Sequence, residues 1–413
     1  HSSKRPRILI GKDTRKSGDM LEAALTAGLC SMGAKVIPLG VVPTPAVAYL
    51  TRYYKADAGV VISASHNPCE YNGIKFFNSD GYKLSDGIEN EIESYILGEK
   101  AIEELPTHGK VGYVSANHNA VEDYVAFAVS TIDCRLDGMK IAVDCANGAS
   151  YETAFKALNK LGANVEAIHN TPDGVNINHM CGSTHMESLQ AYVTSIGADI
   201  GIAFDGDADR MLAVDENGKL IDGDQIMAAC AKFMRDNGTL KQNTLVATVM
   251  SNLGLFMAGE KIGINIPRTK VGDRYVLEEM LAKGYNIGGE QSGHIIFLDH
   301  NTTGDGLVSA LQFLSVLKKT GMKASEAASI VTVMPQVLRN AVVKLENKNS
   351  YMENEEIAAA CKALEDEFAG EGRVLIRPSG TEPLVRVMIE GKDEEYITKK
   401  AEELAELIEK ILG

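Results

Sequence analysis

The 413-residue chain sets 56 acidic against 41 basic residues. The net charge of −15 argues against a partner that wants a basic face, such as nucleic acid or an anionic membrane, though not against a local basic pocket. At roughly 100–200 residues per domain the length predicts two to four domains, and 45% hydrophobic content suits packed cores.

In chain order, the first strand-like run is RILIG (7–11), followed by a helical stretch and a second strand, GAKVIPL (33–39). The same succession returns as KIAVD (140–144) with GANVEAI (162–168), and as TLVAT (244–248) with GINIPRT (263–269). Each intervening helix ends near a glycine, as a helix C-terminus prefers. Each unit then reaches another strand that opens into a polar loop: AGVVISASHNP (58–68), ADIGIAFDGDADR (198–210) and YNIGGEQSGH (285–294). This ordered recurrence predicts three related α/β domains with mostly parallel sheets. In such sheets ligands lie beyond the carboxyl ends of the strands, which marks all three loops.

The pattern changes near residue 333. Two strands, RVLIR (373–377) and LVRVMIEG (384–391), flank the six-residue loop PSGTEP (378–383), which predicts an antiparallel pair in a smaller α+β domain. The expected divisions are 1–117, 118–220, 221–332 and 333–413. No apolar run approaches the roughly 20 residues that span a bilayer, and no signal-peptide pattern is visible. Seven scattered cysteines without a CxxC pair read as reduced, cytoplasmic thiols.

The loops differ in chemistry. Asp205, Asp207 and Asp209 place three carboxylates at alternate positions after a buried strand. Such a cluster repels itself unless a cation enters it, and Mg²⁺ with its preference for hard oxygen ligands suits a phosphate site. An EF-hand is excluded, because Arg210 stands where the sharp turn wants glycine and the flanks read as strands. Arg377, Ser379, Gly380 and Thr381, with Arg386 on the next strand, suit a phosphate through guanidinium forks, hydroxyls and exposed backbone N–H groups. Glu290, Gln291, Ser292 and His294 offer hydrogen bonds fit for sugar hydroxyls or an amine. Lys75 could neutralise a phosphoryl group or be plain surface, and Lys12-Asp13-Thr14-Arg15 carries the same ambiguity. Ser65, followed by His66, could be an activated nucleophile, or the stretch could be a simple helix cap or Asx turn.

Taken together and in order, SASHNP, DGDADR, GEQSGH and RPSGTEP resemble the α-D-phosphohexomutase family over essentially the whole chain. GKDTRKSG (11–18), PDGVNIN (172–178), CGSTH (181–185), TKVGDRYV (269–276) and TTGDG (302–306) bring it nearest to the bacterial glucosamine-phosphate branch. The resemblance implies three tandem related domains plus the smaller fourth, arranged around a central cleft. It implies a phosphate on Ser65 and one Mg²⁺ held by Asp205, Asp207 and Asp209 together with a phosphoserine oxygen. Glu290 and Ser292 would grip the sugar; Arg377, Ser379, Gly380 and Thr381 would bind the phosphate that is not reacting. Lys75 would lie near the phosphoryl group, with His66, Arg210 and His294 as active-site neighbours.

The implied reaction interconverts glucosamine 6-phosphate and glucosamine 1-phosphate through a 1,6-bisphosphate, which also serves as activator. Glucose- or mannose-phosphate isomerisation is the alternative within the family. A metal-dependent phosphatase would want a second His/Asp metal cluster, and a non-catalytic sugar-phosphate binder could dispense with the serine or the acids. The resemblance also implies a homodimer formed through the first domain. The family begins with a segment containing GTDG-x-RG, which would precede residue 1, and the natural protein is expected to carry it.

Overall fold

The computed structural model describes residues 5–102, 104–116, 119–351, 353–379 and 382–413. The chain forms two compact units: residues 1–250 with 263–330, and residues 251–262 with 331–413.

Within the first unit one sheet topology occurs three times. In the first sheet β1 (Arg7–Lys12) runs parallel to β2 (Lys35–Val41) on one side and to β3 (Ala58–Ile62) on the other. β4 (Ile74–Asn78) lies antiparallel to β3, and the short β5 (Tyr113–Val114) extends the β2 edge. The second sheet repeats the plan with β6 (Lys140–Asp144), β7 (Asn164–Ile168), β8 (Ile200–Phe204) and the antiparallel β9 (Met211–Asp215), and adds β10 (Leu220–Ile221). The third does so with β11 (Val246–Thr248), β12 (Arg268–Thr269), β13 (Ile287–Gly289) and the antiparallel β14 (Ile295–Phe297). The chain orders β4-β3-β1-β2, β9-β8-β6-β7 and β14-β13-β11-β12 are therefore equivalent.

The glycines that end the first helix of each repeat, Gly33, Gly162 and Gly263, all have positive φ, the backbone state in which a helix C-terminus uses glycine. The central strands are apolar because helices cover both faces of a parallel sheet; all five residues of β8 are buried. Ile10, Val36, Val60 and Ile62 form the first core, and Leu189, Val193, Ala203 and Val214 belong to the second. The third repeat has the shortest strands. The GINIPRT stretch pairs fully only at Arg268–Thr269, with one isolated bridge between Thr244 and Asn265. Pro267 lies between them and brings no N–H to a ladder.

The polar loops fall at one topological point. Each joins the third strand of its sheet to the antiparallel fourth: residues 63–73, 205–210 and 290–294.

The second unit contains a three-stranded antiparallel sheet in the order β15-β17-β16, with β15 at Gln336–Val342, β16 at Arg373–Pro378 and β17 at Leu384–Glu390. Helices Glu355–Phe368 and Glu394–Leu412 supply Ile357, Leu364, Ile397, Leu404 and Ile408 to its core. Asn354 and Asp393 cap those helices by accepting bonds from backbone N–H groups of the first turn. None of the described helices is long and apolar enough to cross a membrane.

Candidate active site

β3 emerges into Ser63-Ala64-Ser65, and β8 emerges into the acidic loop. The two loops meet. Ser65 Oγ donates to Asp205 Oδ2 at 2.8 Å. Gly206 permits the approach: a Cβ there would stand 2.7 Å from both the Ser65 carbonyl oxygen and Asn178 Nδ2. Ser65 itself has a φ of 52°. A non-glycine residue in that left-handed region carries a cost of about 1–2 kcal/mol, which the surroundings must offset. Here that conformation aims the hydroxyl at the acids rather than along the strand.

Asp205, Asp207 and Asp209 are all buried, and one carboxylate oxygen from each lies within 4.8 Å of the others. Lys75, on β4, donates to Asp207 Oδ2 at 2.8 Å and stands 3.8 Å from Asp209. Thr44 clamps Asp207 twice: its hydroxyl donates to Oδ2 at 2.6 Å and its backbone N–H donates to the Asp207 carbonyl at 2.9 Å. Two carboxylate oxygens, Asp207 Oδ1 and Asp209 Oδ1, are buried without a hydrogen-bond partner among the described residues. Buried acceptors in that state are costly, and hard anionic oxygens left over in a tight group are the donors that Mg²⁺ takes. The triad fits that ion.

The protonation pattern follows from the crowding. Burial pushes the Asp205 carboxyl well above its usual range, and the charges of Asp209 and Asp207 add to it. Burial acts on Asp209 in the same direction, but His294, Lys75 and Arg210 outweigh it and hold that carboxyl well below the usual range. Burial would discharge Lys75, yet Asp207 and Asp209 overcome it and hold the ammonium firmly charged. The His66 imidazole is pushed down, first by burial and then by the nearby Arg210 charge.

The third loop is tied to the second. Met211 N–H donates to the Gly293 carbonyl at 3.0 Å, and Gly293, at a φ of 90°, leaves no room for a Cβ against Met211 O. His294 is buried with Nδ1 3.6 Å from Asp209 and Nε2 3.6 Å from Asp273. Burial lowers its basicity, but Asp209 and Asp273 outweigh that and raise it. Glu290 accepts from Gly272 N–H at 3.1 Å and lies within electrostatic reach of Arg210. Ser292 is exposed at the tip of the turn. Ser65, His66, Lys75, the three acids, Arg210 and His294 thus form one cluster, bordered by the Glu290–Ser292 turn.

In the second unit, Arg377 on β16 and Arg386 on β17 are directly paired across the antiparallel ladder. Like charges facing each other repel, and the Arg377 guanidinium is weakened, first by burial and then by Arg386. Arg386 Nε is buried without a partner among the described residues. Ser379 is buried, and its hydroxyl accepts from Glu382 N–H at 3.2 Å. Two opposed arginines beside a serine turn suit an oxyanion. Gly380 and Thr381 lie outside the described residues.

Three participants are absent from the residues singled out in the sequence: Thr44, Asn178 and Asp273. Asn178 Nδ2 donates to the carbonyls of Ser65 and Asn67 at 2.9 and 3.0 Å. Its stretch, PDGVNIN, and that of Asp273, TKVGDRYV, were visible as motifs without an assigned task. Thr44 follows Pro43 in an ordinary-looking helix start and carries no local signal of its contact with the acids.

A hydroxyl against a carboxylate cluster, a half-buried lysine beside it and a separate arginine pair define a phosphoryl-transfer protein. Four family models match in order: phosphoglucomutase/phosphomannomutase α/β/α domains I (1–103), II (121–218) and III (222–334), and the C-terminal domain (341–407). The chain belongs to the phosphoglucomutase/phosphomannomutase family. Among particular proteins it is similar to the phosphoglucosamine mutase of Ruminiclostridium cellulolyticum, at 63% identity over 98% of this chain and 90% of that one. It is 62% identical to the phosphoglucosamine mutase of Acetivibrio thermocellus over 99% of this chain and 91% of the relative. A crystal structure of a phosphoglucomutase/phosphomannomutase family protein from Burkholderia thailandensis has the same fold, with a TM-score of 0.81 at 23% identity, covering 98% of this chain and 89% of that one.

Proposed function

We infer that the chain is an enzyme that interconverts glucosamine 6-phosphate and glucosamine 1-phosphate, an intramolecular phosphoryl transfer serving amino-sugar precursors of the bacterial envelope. The observation that carries this reading is the Ser65 hydroxyl 2.8 Å from a buried three-carboxylate cluster with oxygens to spare.

Ser65 carries the phosphate in the active form and hands it to the free hydroxyl of the sugar phosphate. The 1,6-bisphosphate so formed turns over, and its other phosphate returns to Ser65. Asp205, Asp207 and Asp209, with an oxygen on Ser65, would hold one Mg²⁺, which when bound neutralises charge developing on the transferring group. Lys75 contributes a fixed positive charge beside the acids, and Arg210 and His66 line the same cluster. His294 braces Asp209. Glu290 and Ser292 contact the sugar, and the buried His294 stands behind their turn. Arg377, Ser379 and Arg386, with Gly380 and Thr381, take up the phosphate that is not reacting. Such chemistry asks for positioning and charge neutralisation more than for covalent rearrangement by the protein.

The working units are domains 1–117, 118–220, 221–332 and 333–413. The protein acts in the cytoplasm as a homodimer, and a hexose or hexosamine 1,6-bisphosphate primes it. Glucose- and mannose-phosphate isomerisation are the competing specificities.

The test supplies glucosamine 6-phosphate, glucose 6-phosphate and mannose 6-phosphate separately, with Mg²⁺ and a trace of bisphosphate, and follows the 1-phosphates by phosphorus NMR. Isomerisation fastest on the amino sugar and lost in Ser65→Ala is expected. Protein bearing phosphate on its serine that leaves all three sugars unchanged would sink the reading.

A further inference from the structure

The positive φ of Ser65 has to be enforced, and the enforcing group lies beneath the loop. Arg15 is fully buried, its side chain paired with a buried carboxylate, Asp13: Nε donates to Asp13 Oδ2 at 2.8 Å. Its Nη2 donates to the carbonyls of Ser65 at 3.0 Å and Asn67 at 2.8 Å. Its Nη1 donates to the carbonyls of Pro68 and, at 3.0 Å, Tyr71. All five N–H donors of the guanidinium are thereby used. Four of them grasp one seven-residue loop through its backbone. The fifth reaches the same loop by relay: Asp13 Oδ2 accepts from Ser63 Oγ at 2.6 Å, and Ser63 Oγ accepts from Ser65 N–H at 3.0 Å. Both faces of the Ser65 peptide environment, its N–H and its carbonyl, are thus tied to one side chain fifty residues earlier.

We propose that Arg15 is the positioning residue of the phosphorylatable serine: it holds Ser65 in the left-handed conformation that aims Oγ at the acidic cluster. This rests on the phosphoserine reading above. Arg15 touches no reacting atom. A general packing role would need shape and volume; this one needs a planar fork with five donors, which lysine lacks. Misplacing a nucleophile by about 1 Å can cost on the order of 10²-fold in rate.

The experiment uses the full chain and compares Arg15→Ala, Arg15→Lys and Ser63→Ala with the wild type. Three quantities are read: backbone hydrogen exchange over residues 63–71, the rate at which Ser65 takes phosphate from glucose 1,6-bisphosphate, and kcat against KM for glucosamine 6-phosphate. In Arg15→Ala, exchange in 63–71 should rise while β6–β9 stays protected, kcat should fall about 10²-fold with KM within a few-fold, and added guanidinium should restore at least a tenth of the lost rate. Arg15→Lys should behave like the alanine variant without rescue. Should Arg15→Ala fail to fold, Ser63→Ala decides, because it cuts only the relay. A serine phosphorylation rate within twofold of wild type in Ser63→Ala, or in a folded Arg15→Ala, overturns the proposal. An inert wild type would instead overturn the mutase reading; loop exchange would still report on Arg15.

Discussion

Two clusters at neighbouring strand ends of the second sheet look alike by the close grouping of their potential ligand atoms and differ in chemistry. At the end of β6, Asp144 groups with His169 and Cys181; just past the end of β8 stand Asp205, Asp207 and Asp209. In both, potential ligand atoms lie within 4.8 Å of one another. The Asp144 carboxylate is saturated, however. Its Oδ1 accepts from Ala146 N–H at 2.8 Å, and its Oδ2 accepts from Gly182 N–H at 3.0 Å and faces His169 Nδ1 at 2.9 Å. The Cys181 thiol is pushed up to about 12, first by burial and then by the Asp144 charge, far from the thiolate a metal needs. The Asp205 group has lone pairs left over and a lysine standing in for missing charge. Proximity alone makes a knot; proximity with unspent acceptors makes a site.

Removing one carboxylate from each cluster sharpens that contrast most. Asp207→Asn should lower mutase activity about 10³-fold, the several kcal/mol that charge stabilisation of the transferring group supplies. Asp144→Asn should keep activity within a few-fold but cost about 1–3 kcal/mol of stability, because it sets an amide N–H₂ against backbone donors. Steady-state rates beside urea unfolding read both. Activity lost in Asp144→Asn with normal stability would break the comparison.

Lys75→Met tests the stand-in charge. The ammonium occupies Asp207 Oδ2, so its loss should reduce kcat about 10²-fold while lowering the Mg²⁺ concentration needed for half-maximal activity. Slower turnover with tighter Mg²⁺ binding is the expected signature, and a fall in kcat with a rise in the Mg²⁺ concentration needed would assign Lys75 to metal retention instead. A smaller effect concerns the saturated cluster. Equilibrium dialysis of Asp207→Asn protein against micromolar Zn²⁺ should find no ion held by Asp144, His169 and Cys181, and Cys181→Ser should leave zinc uptake unchanged.

How legible this was depends on distance along the chain. The repeat could be read because its signals are local: a β-branched run, a helix closed by a positive-φ glycine, a second run. The acids could be read for the same reason, three carboxylates within five residues. Thr44 reaches Asp207 across 163 positions and Asn178 reaches Ser65 across 113, so neither shows a pattern of its own. Arg15 stood in view beside Asp13, but a buried arginine and a surface one have the same letter. Only the fold shows that its guanidinium is wrapped by carbonyls. The antiparallel β16–β17 pair was announced by its six-residue loop, whereas the cross-strand register that opposes Arg377 to Arg386 was not, since a shift of one residue would have separated them.

The smallest expected effect isolates what the saturated cluster does. His169 is raised from its ordinary value, chiefly by its hydrogen bond with Asp144, against the opposing pull of burial. A raised folded value means that protonated His169 stabilises the fold. That contribution is fully present below the unfolded histidine value of about 6.5 and fades as pH rises through the higher folded value. His169→Gln should therefore melt about 1–2 °C below wild type near pH 5.5 and at the same temperature near pH 8.5. Calorimetry at the two pH values, without added metal, measures it. A gap that widened toward alkaline pH would mean that the neutral imidazole is the stabilising form. That would reopen this cluster as a ligand set, since a neutral ring is the form that binds metal.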